Sequence, residues 1–144
     1  MYPVMLDLTD KKIVVIGGGR IATRKVKGLK GEGADITVIA NEITDEIKTL
    51  DTMIIEESFR HDISAFDMVF IATDDPAVNQ AVIEQIQPHQ LVNDCTNKAN
   101  STFFNMASFR TADARIMIST DGKNPETSKI LKNKLQSFLN DDSI

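Results

Sequence analysis

Tryptophan is absent from this 144-residue sequence, tyrosine occurs once (Tyr2) and cysteine once (Cys95). One cysteine excludes an internal disulfide framework. Two isolated histidines, His61 and His89, form no set with metal-ligand spacing, so no metal site is expected. So few stacking rings leave no aromatic platform for nucleic-acid bases. Positive charge is also short: 16 Lys and Arg stand against 21 Asp and Glu, for a formal charge of −5. That balance argues against a nucleic-acid partner held by overall basic charge. No apolar run is long enough to span a bilayer. The opening MYPVMLDLTDKK lacks a basic region followed by a long apolar core, so it does not read as a signal peptide. Repeats and low-complexity segments are missing too. These absences predict a cytoplasmic protein without a membrane partner. The length suggests one domain, with room for a short appendage.

What is present is concentrated in IVVIGGGRIATRKVKGLKGEGA, residues 13 to 34. Ile13 to Ile16 are wholly apolar, as in a strand buried on both faces. Gly17, Gly19 and Ala22 then fit G-x-G-x-x-G/A, with Gly18 as an extra glycine. Ala22, Val26 and Leu29 follow at helical spacing, and Gly31 and Gly33 close the helix. The first glycine allows a tight turn, the second lets backbone approach a pyrophosphate, and the third position stays small where helix meets strand. Amides at the helix start can then hold the anion. A strand before, an amphipathic helix after and a second strand at Ile36 to Ile39 supply the context of dinucleotide binding. Lys25, Lys27 and Lys30 read as a solvated outer face of the helix.

The rest of the chain repeats the alternation. Thr44 is placed to cap a helix over 45–50, with acidic residues in its first turn. Met53 to Glu56 and Asp67 to Ala72 read as strands, with a connecting loop between them. Asp75 and Pro76 start a helix with Val78, Ala81, Val82 and Ile86 on its apolar stripe, ended by Pro88. Gln90 to Cys95 form the next strand. Strands alternating with helices mean an α/β fold, a parallel sheet covered on both faces. After a polar loop, 96–102, the pattern changes. Phe103 to Phe109 and Arg115 to Ser119 predict a hairpin, Asp121-Gly122-Lys123 a turn, and Asn124-Pro125 the start of a last helix. Ser128, Leu131, Leu135 and Phe138 lie near one stripe of that helix, beside Ile130 and Lys134. A second copy of the chain is a natural cover for it.

Ligands on such sheets bind at the carboxyl ends of the strands. That rule selects Gly17 to Ala22, Ala40 to Glu42, Thr73 to Asp75 and Asn93 to Asn97. Asn41 or Glu42 would read the adenosine ribose. No arginine or lysine stands there to receive a 2′-phosphate, so NAD is expected rather than NADP. Asp94 is a proton acceptor if burial moves its pKa towards neutrality, or a cap for nearby loop amides if it does not. Cys95 has no histidine beside it and reads as a small buried residue. Arg110, Arg115 and Lys123 could meet substrate carboxylates or sit as charged turn residues.

With these pieces in hand, the chain resembles the precorrin-2 dehydrogenase family, the NAD-binding part of siroheme synthases. The resemblance rests on YPVMLDLTDKKIVVIGGGRIATRKVKGL, DITVIA, VFIATDDPAVNQAV, LVNDC and RIMISTDGKNPETSKILKNKL, which occur in family order and cover nearly all of the chain. It implies a Rossmann domain over 1–100, a dimerisation region over 101–144, and an intertwined homodimer. It implies NAD-dependent oxidation of precorrin-2 to sirohydrochlorin; some members also insert ferrous iron. Longer members continue with a helical region that this sequence does not show. By position, Arg20, Ile21, Asn41 and Glu42 match the family's NAD-contacting places, and Thr73 and Asp74 its ATDD strand end. Thr96 occupies the place of the family's aspartate, with Asp94 two residues earlier and on the same side of an extended strand. A bifunctional dehydrogenase and ferrochelatase is one alternative. A regulatory nucleotide-sensing module is another, though it leaves the RIMISTDGKNP ending unexplained.

Overall fold

The apolar run at 13–16 lies in the middle strand of a five-stranded parallel sheet. In a computed structural model, which describes residues 1–121 and 123–141, this strand, β1 (Lys12–Ile16), has β2 (Asp35–Ala40) on one side and β4 (Met68–Ile71) on the other. Beyond them lie β3 (Met53–Glu56) and β5 (Leu91–Asp94), in the order β3-β2-β1-β4-β5. Alternate side chains serve opposite faces. Ile13 and Val15 join Val26, Val38 and Phe70 in one layer, whereas Val14 and Ile16 join Val69, Ile71 and Val82 in the other. All four apolar residues of β1 are at most 1% exposed, the environment an uninterrupted apolar strand requires. Each such buried side chain contributes about 1.5–3 kcal/mol.

The connections follow the predicted signals. Helix α1 (Arg20–Leu29) buries Ala22, Thr23, Val26 and Leu29, and Gly31 and Gly33 behind it take positive φ. Helix α3 (Pro76–Ile83) has Asp75 as its N-cap, the carboxylate accepting from the amides of Ala77 and Val78. Only Val82 of its expected stripe is buried, with Val78 and Ile86 packed partly against the core. Helix α2 is a single turn, Asp45–Lys48, shorter than expected. Thr44 stands at its N-cap position, but its side chain does not cap it; the hydroxyl lies 3.0 Å from that of Thr23, which itself donates to the Gly19 carbonyl.

The chain divides into two compact units, one of residues Val4–Phe103 and one from Phe104 onward together with Met1–Pro3. Phe103 was expected in the hairpin, but belongs to the first unit. Its ring meets Phe70 edge to face at 5.5 Å, and its carbonyl accepts from the Asn93 side chain at 3.0 Å. The hairpin strands are therefore short: β6 (Ala107–Arg110) pairs antiparallel with β7 (Arg115–Ile118), placing Arg110 opposite Arg115. Asn124 caps α4 (Pro125–Asp141) by accepting from the Thr127 amide at 3.0 Å. Gly122 of the expected second turn lies outside the described residues.

Candidate functional site

The strand order reverses direction between β1 and β4, and the carboxyl ends of these strands open a crevice there. Three consecutive glycines follow β1 there, and the structure gives each a different reason. Gly17 has φ +120°, and a Cβ there would lie 2.3 Å from the Ala72 carbonyl oxygen. It must be glycine for the chain to leave β1 beneath β4. Gly18 is no spare residue. A Cβ on it would lie 2.1 Å from the Glu42 carbonyl oxygen, and its own carbonyl accepts from the Thr44 amide at 3.0 Å. It is the point where the chain after β2 crosses the turn.

Gly19 is the opposite case. Its φ of −87° suits any residue, and a Cβ would meet nothing within 4 Å. Neither backbone geometry nor internal packing asks for glycine here. A glycine here leaves the space over the helix start open. Gly19 is also the N-cap of α1, and no side chain caps that helix and no acidic residue lies in its first turn. Leading amides with a positive dipole end, next to backbone left bare, suit a diphosphate. The residues present therefore fit the dinucleotide that the fingerprint implies. Arg20 and Ile21 are exposed beside this opening, and Ala22 is fully buried beneath it.

At the end of β2, Asn41 and Glu42 are exposed on the far side of the turn, where a ribose would be read. The Asn41 Oδ1 accepts from the Ser58 hydroxyl at 2.9 Å, which fixes its orientation. At the end of β4, the Thr73 hydroxyl accepts from the Asp75 amide at 3.0 Å, and Asp74 is exposed.

The end of β5 bears on the two expectations for Asp94. Asp94 is 4% exposed, yet its carboxyl lies below the ordinary value of 3.8 rather than near neutrality. Burial does push it up, but hydrogen bonds to the charged form outweigh burial. Oδ1 accepts from the Thr96 amide (2.8 Å), the Thr96 hydroxyl (2.7 Å) and the Asn97 amide (3.0 Å). Oδ2 accepts from Asn100 Nδ2 at 2.8 Å. Asp94 is thus the anchor of the loop and its 3-10 turn, Lys98–Asn100, as in the capping alternative. Thr96 is drawn in as its donor. Beside it, burial pushes the Cys95 thiol up, which keeps it protonated and in keeping with a packing role.

Lys25 corrects an expectation. It does not lie on the solvated face with Lys27 and Lys30. Its ammonium donates to Asn93 Oδ1 at 2.7 Å and stands 5.2 Å from the centre of the Phe70 ring. Burial lowers its pKa. Lys25, Asn93 and Phe103 together tie the helix behind the glycine turn to β5. The signal was available, since Lys25 falls three residues after Ala22 and four before Leu29, on the edge of the buried stripe. Nothing in the local sequence announced Asn79, whose Nδ2 donates to the Thr73 carbonyl at 3.1 Å and to the Thr96 hydroxyl at 3.3 Å. Among the described residues no group of three or more His, Cys, Asp or Glu is placed to hold a metal ion. Nor is any helix among them long and apolar enough to cross a membrane.

Comparison with known proteins agrees with this geometry. A family model described as NAD(P)-binding matches residues 4–107. A precorrin-2 dehydrogenase of Priestia megaterium is 37% identical over 142 residues, covering 95% of this chain and 70% of that protein. A precorrin-2 dehydrogenase of Bacillus subtilis is 29% identical over 153 residues, covering 100% of this chain and 92% of that protein. Among solved structures, SirC, a precorrin-2 dehydrogenase, superposes with a TM-score of 0.86 at 36% identity, over 96% of this chain and 71% of that one. A bare glycine turn at the switch point, in a sheet and an order of segments that these enzymes share along nearly the whole chain, identifies this protein as a member of the precorrin-2 dehydrogenase family.

Proposed function

We propose that this chain oxidises precorrin-2 to sirohydrochlorin with NAD, a step in siroheme synthesis. The reaction removes a hydride and a proton from the macrocycle and extends its conjugation. NAD, when bound, supplies the hydride acceptor. The open space at Gly19 carries this reading, because no internal feature of the fold needs a glycine there.

The chain's own part is to bind and orient. Gly17 and Gly18 shape the turn, Gly19 keeps a side chain out of the diphosphate's place, and the first amides of α1, at Arg20, Ile21 and Ala22, face it. Asn41 and Glu42 take the adenosine ribose, and the sequence beside them, ANEIT, carries no arginine or lysine to favour a 2′-phosphate. Thr73 and Asp74 border the continuation of the crevice towards β5. There Asp94 holds the loop that carries Thr96, and it stays ionised at neutral pH. Its hydrogen bonds favour the charged form, which makes it a poorer proton acceptor than an ordinary carboxylate, so we assign Asp94 to positioning and to a fixed negative charge, not to taking the proton. Residues 1–100 form the NAD-binding domain in this reading, and 101–144 the dimerisation region. Leu131, Leu135 and Phe138 of α4 are each more than 40% exposed, an apolar face that a second copy would cover. Sedimentation of the wild type and Leu135→Lys checks the homodimer: dimer turning to monomer supports it, and a monomeric wild type removes it.

Purified protein mixed with precorrin-2 and NAD should form NADH and sirohydrochlorin in equal amounts. Gly19→Asp should bind NAD at least about a hundredfold more weakly, since it puts a like charge in the diphosphate's place. No NADH from the wild type, or unchanged NAD affinity in Gly19→Asp by calorimetry, would overturn the assignment.

A further inference from the structure

The side-chain carbonyl of Asn79 is buried without a hydrogen-bond partner among the described residues. Its neighbours decide which way the carboxamide points. The Thr73 carbonyl can only accept, so the Asn79 atom 3.1 Å from it is the amino group. The Thr96 hydroxyl gives its proton to Asp94 Oδ1 at 2.7 Å and therefore accepts from the same amino group at 3.3 Å. Asp94 itself is bonded through both oxygens. The chain of donors runs one way, from Asn79 to Thr96 to Asp94. It leaves Asn79 Oδ1 as an acceptor with nothing to accept.

This residue lines a cavity of about 280 Å³ between α3 and the loop after β5, together with Asp74, Ile83, Asp94 and Thr96. The cavity lies at the carboxyl ends of β4 and β5. Gly17 abuts Ala72 and Thr73, so the diphosphate turn adjoins the same strand end. With the diphosphate on the turn and the adenosine at Asn41 and Glu42, the other half of a dinucleotide extends towards this cavity. That half carries one carboxamide, whose amino group is a donor. A buried, unpaired acceptor disfavours any occupant that brings no donor to it.

We infer that Asn79 is a specificity-determining residue that accepts a hydrogen bond from the nicotinamide carboxamide through Oδ1. The inference rests on the dinucleotide reading and assigns the nicotinamide end of that site.

Calorimetry with three probes tests it: NAD, acetylpyridine adenine dinucleotide, in which a methyl replaces the carboxamide amino group, and ADP-ribose, which lacks the ring. The wild type should prefer NAD to the acetylpyridine analogue by about tenfold or more. In Asn79→Ala the preference should fall to within about twofold, with ADP-ribose affinity unchanged. Equal wild-type affinity for the two dinucleotides overturns the inference without any variant being made. So does discrimination that survives in Asn79→Ala, which would leave a water as the partner of Oδ1. A wild type that fails to bind ADP-ribose overturns the dinucleotide reading itself, and the role of Asn79 with it.

Discussion

The two ends of the crevice are built by opposite means. At the turn after β1, the chain removes side chains: Gly17 and Gly18 let backbone pass within contact of Ala72 and Glu42, and Gly19 leaves space unfilled. At the loop after β5, the chain adds them: the exposed residues Thr96, Asn97 and Asn100 each donate to the buried carboxylate of Asp94. The first end is specified by sterics and the second by electrostatics. The first leaves backbone bare at a helix start, and the amide N–H groups there are carried by every residue type except proline. The second sets direction and charge, which only particular side chains supply. Glycine at the turn also mixes two purposes that look alike in the sequence. Two of the three glycines answer to backbone neighbours, and the third faces open space.

Breaking the turn should have the larger effect. Gly17→Val combines a positive φ with a Cβ placed against the Ala72 carbonyl. It should lose about 3–5 kcal/mol of stability in urea unfolding. A loss under about 1 kcal/mol would mean that the turn relaxes freely and that the steric account is wrong. The loop comes next. Asp94→Ala leaves the Thr96 and Asn97 amides and the Asn100 side chain without their acceptor, and should cost about 2–3 kcal/mol. Its carboxyl is lower in the folded chain than the 3.8 of an unfolded one, so its contribution is complete above that value and is lost as pH falls through the folded pKa. The stability gap between wild type and Asp94→Asn should therefore close below about pH 3.8. A gap that stays constant into acid would show that the carboxylate's charge is irrelevant to the loop. The smallest effect separates the two kinds of glycine. Gly19→Ala should leave stability unchanged or raise it by about 0.4–1 kcal/mol, since its φ suits alanine. NAD affinity should still fall. A destabilised Gly19→Ala would place this glycine with its two neighbours and erase the distinction.

Much of the fold could be read without coordinates because it rests on local signals. An uninterrupted apolar strand, an Asp-Pro start at 75–76, an Asn-Pro start at 124–125 and the glycines after the first helix each act over a few residues. Phe103 was misplaced because its partners, Phe70 and Asn93, are distant in sequence, while its neighbours alternate as a strand would. Lys25 was misplaced because a charged residue at the margin of an apolar stripe reads as solvated until a partner such as Asn93 is seen across the sheet edge. At the site, the glycine turn and the helix after it were legible from spacing. The state of Asp94 was not, because burial and hydrogen bonding move a carboxyl in opposite directions and only the donor count decides between them.

By itself, then, the order of residues determined the alternation of strand and helix, the parallel sheet and the location of the glycine turn, because each depends on periodicity and on backbone preferences within a few positions. Tertiary structure alone decided which glycine answers to which neighbour, that Lys25 turns inward, that Asp94 stays ionised and that Asn79 keeps an unpaired oxygen. Those outcomes depend on what lies across a gap from residues far along the chain, and contact distance is a property of the folded molecule.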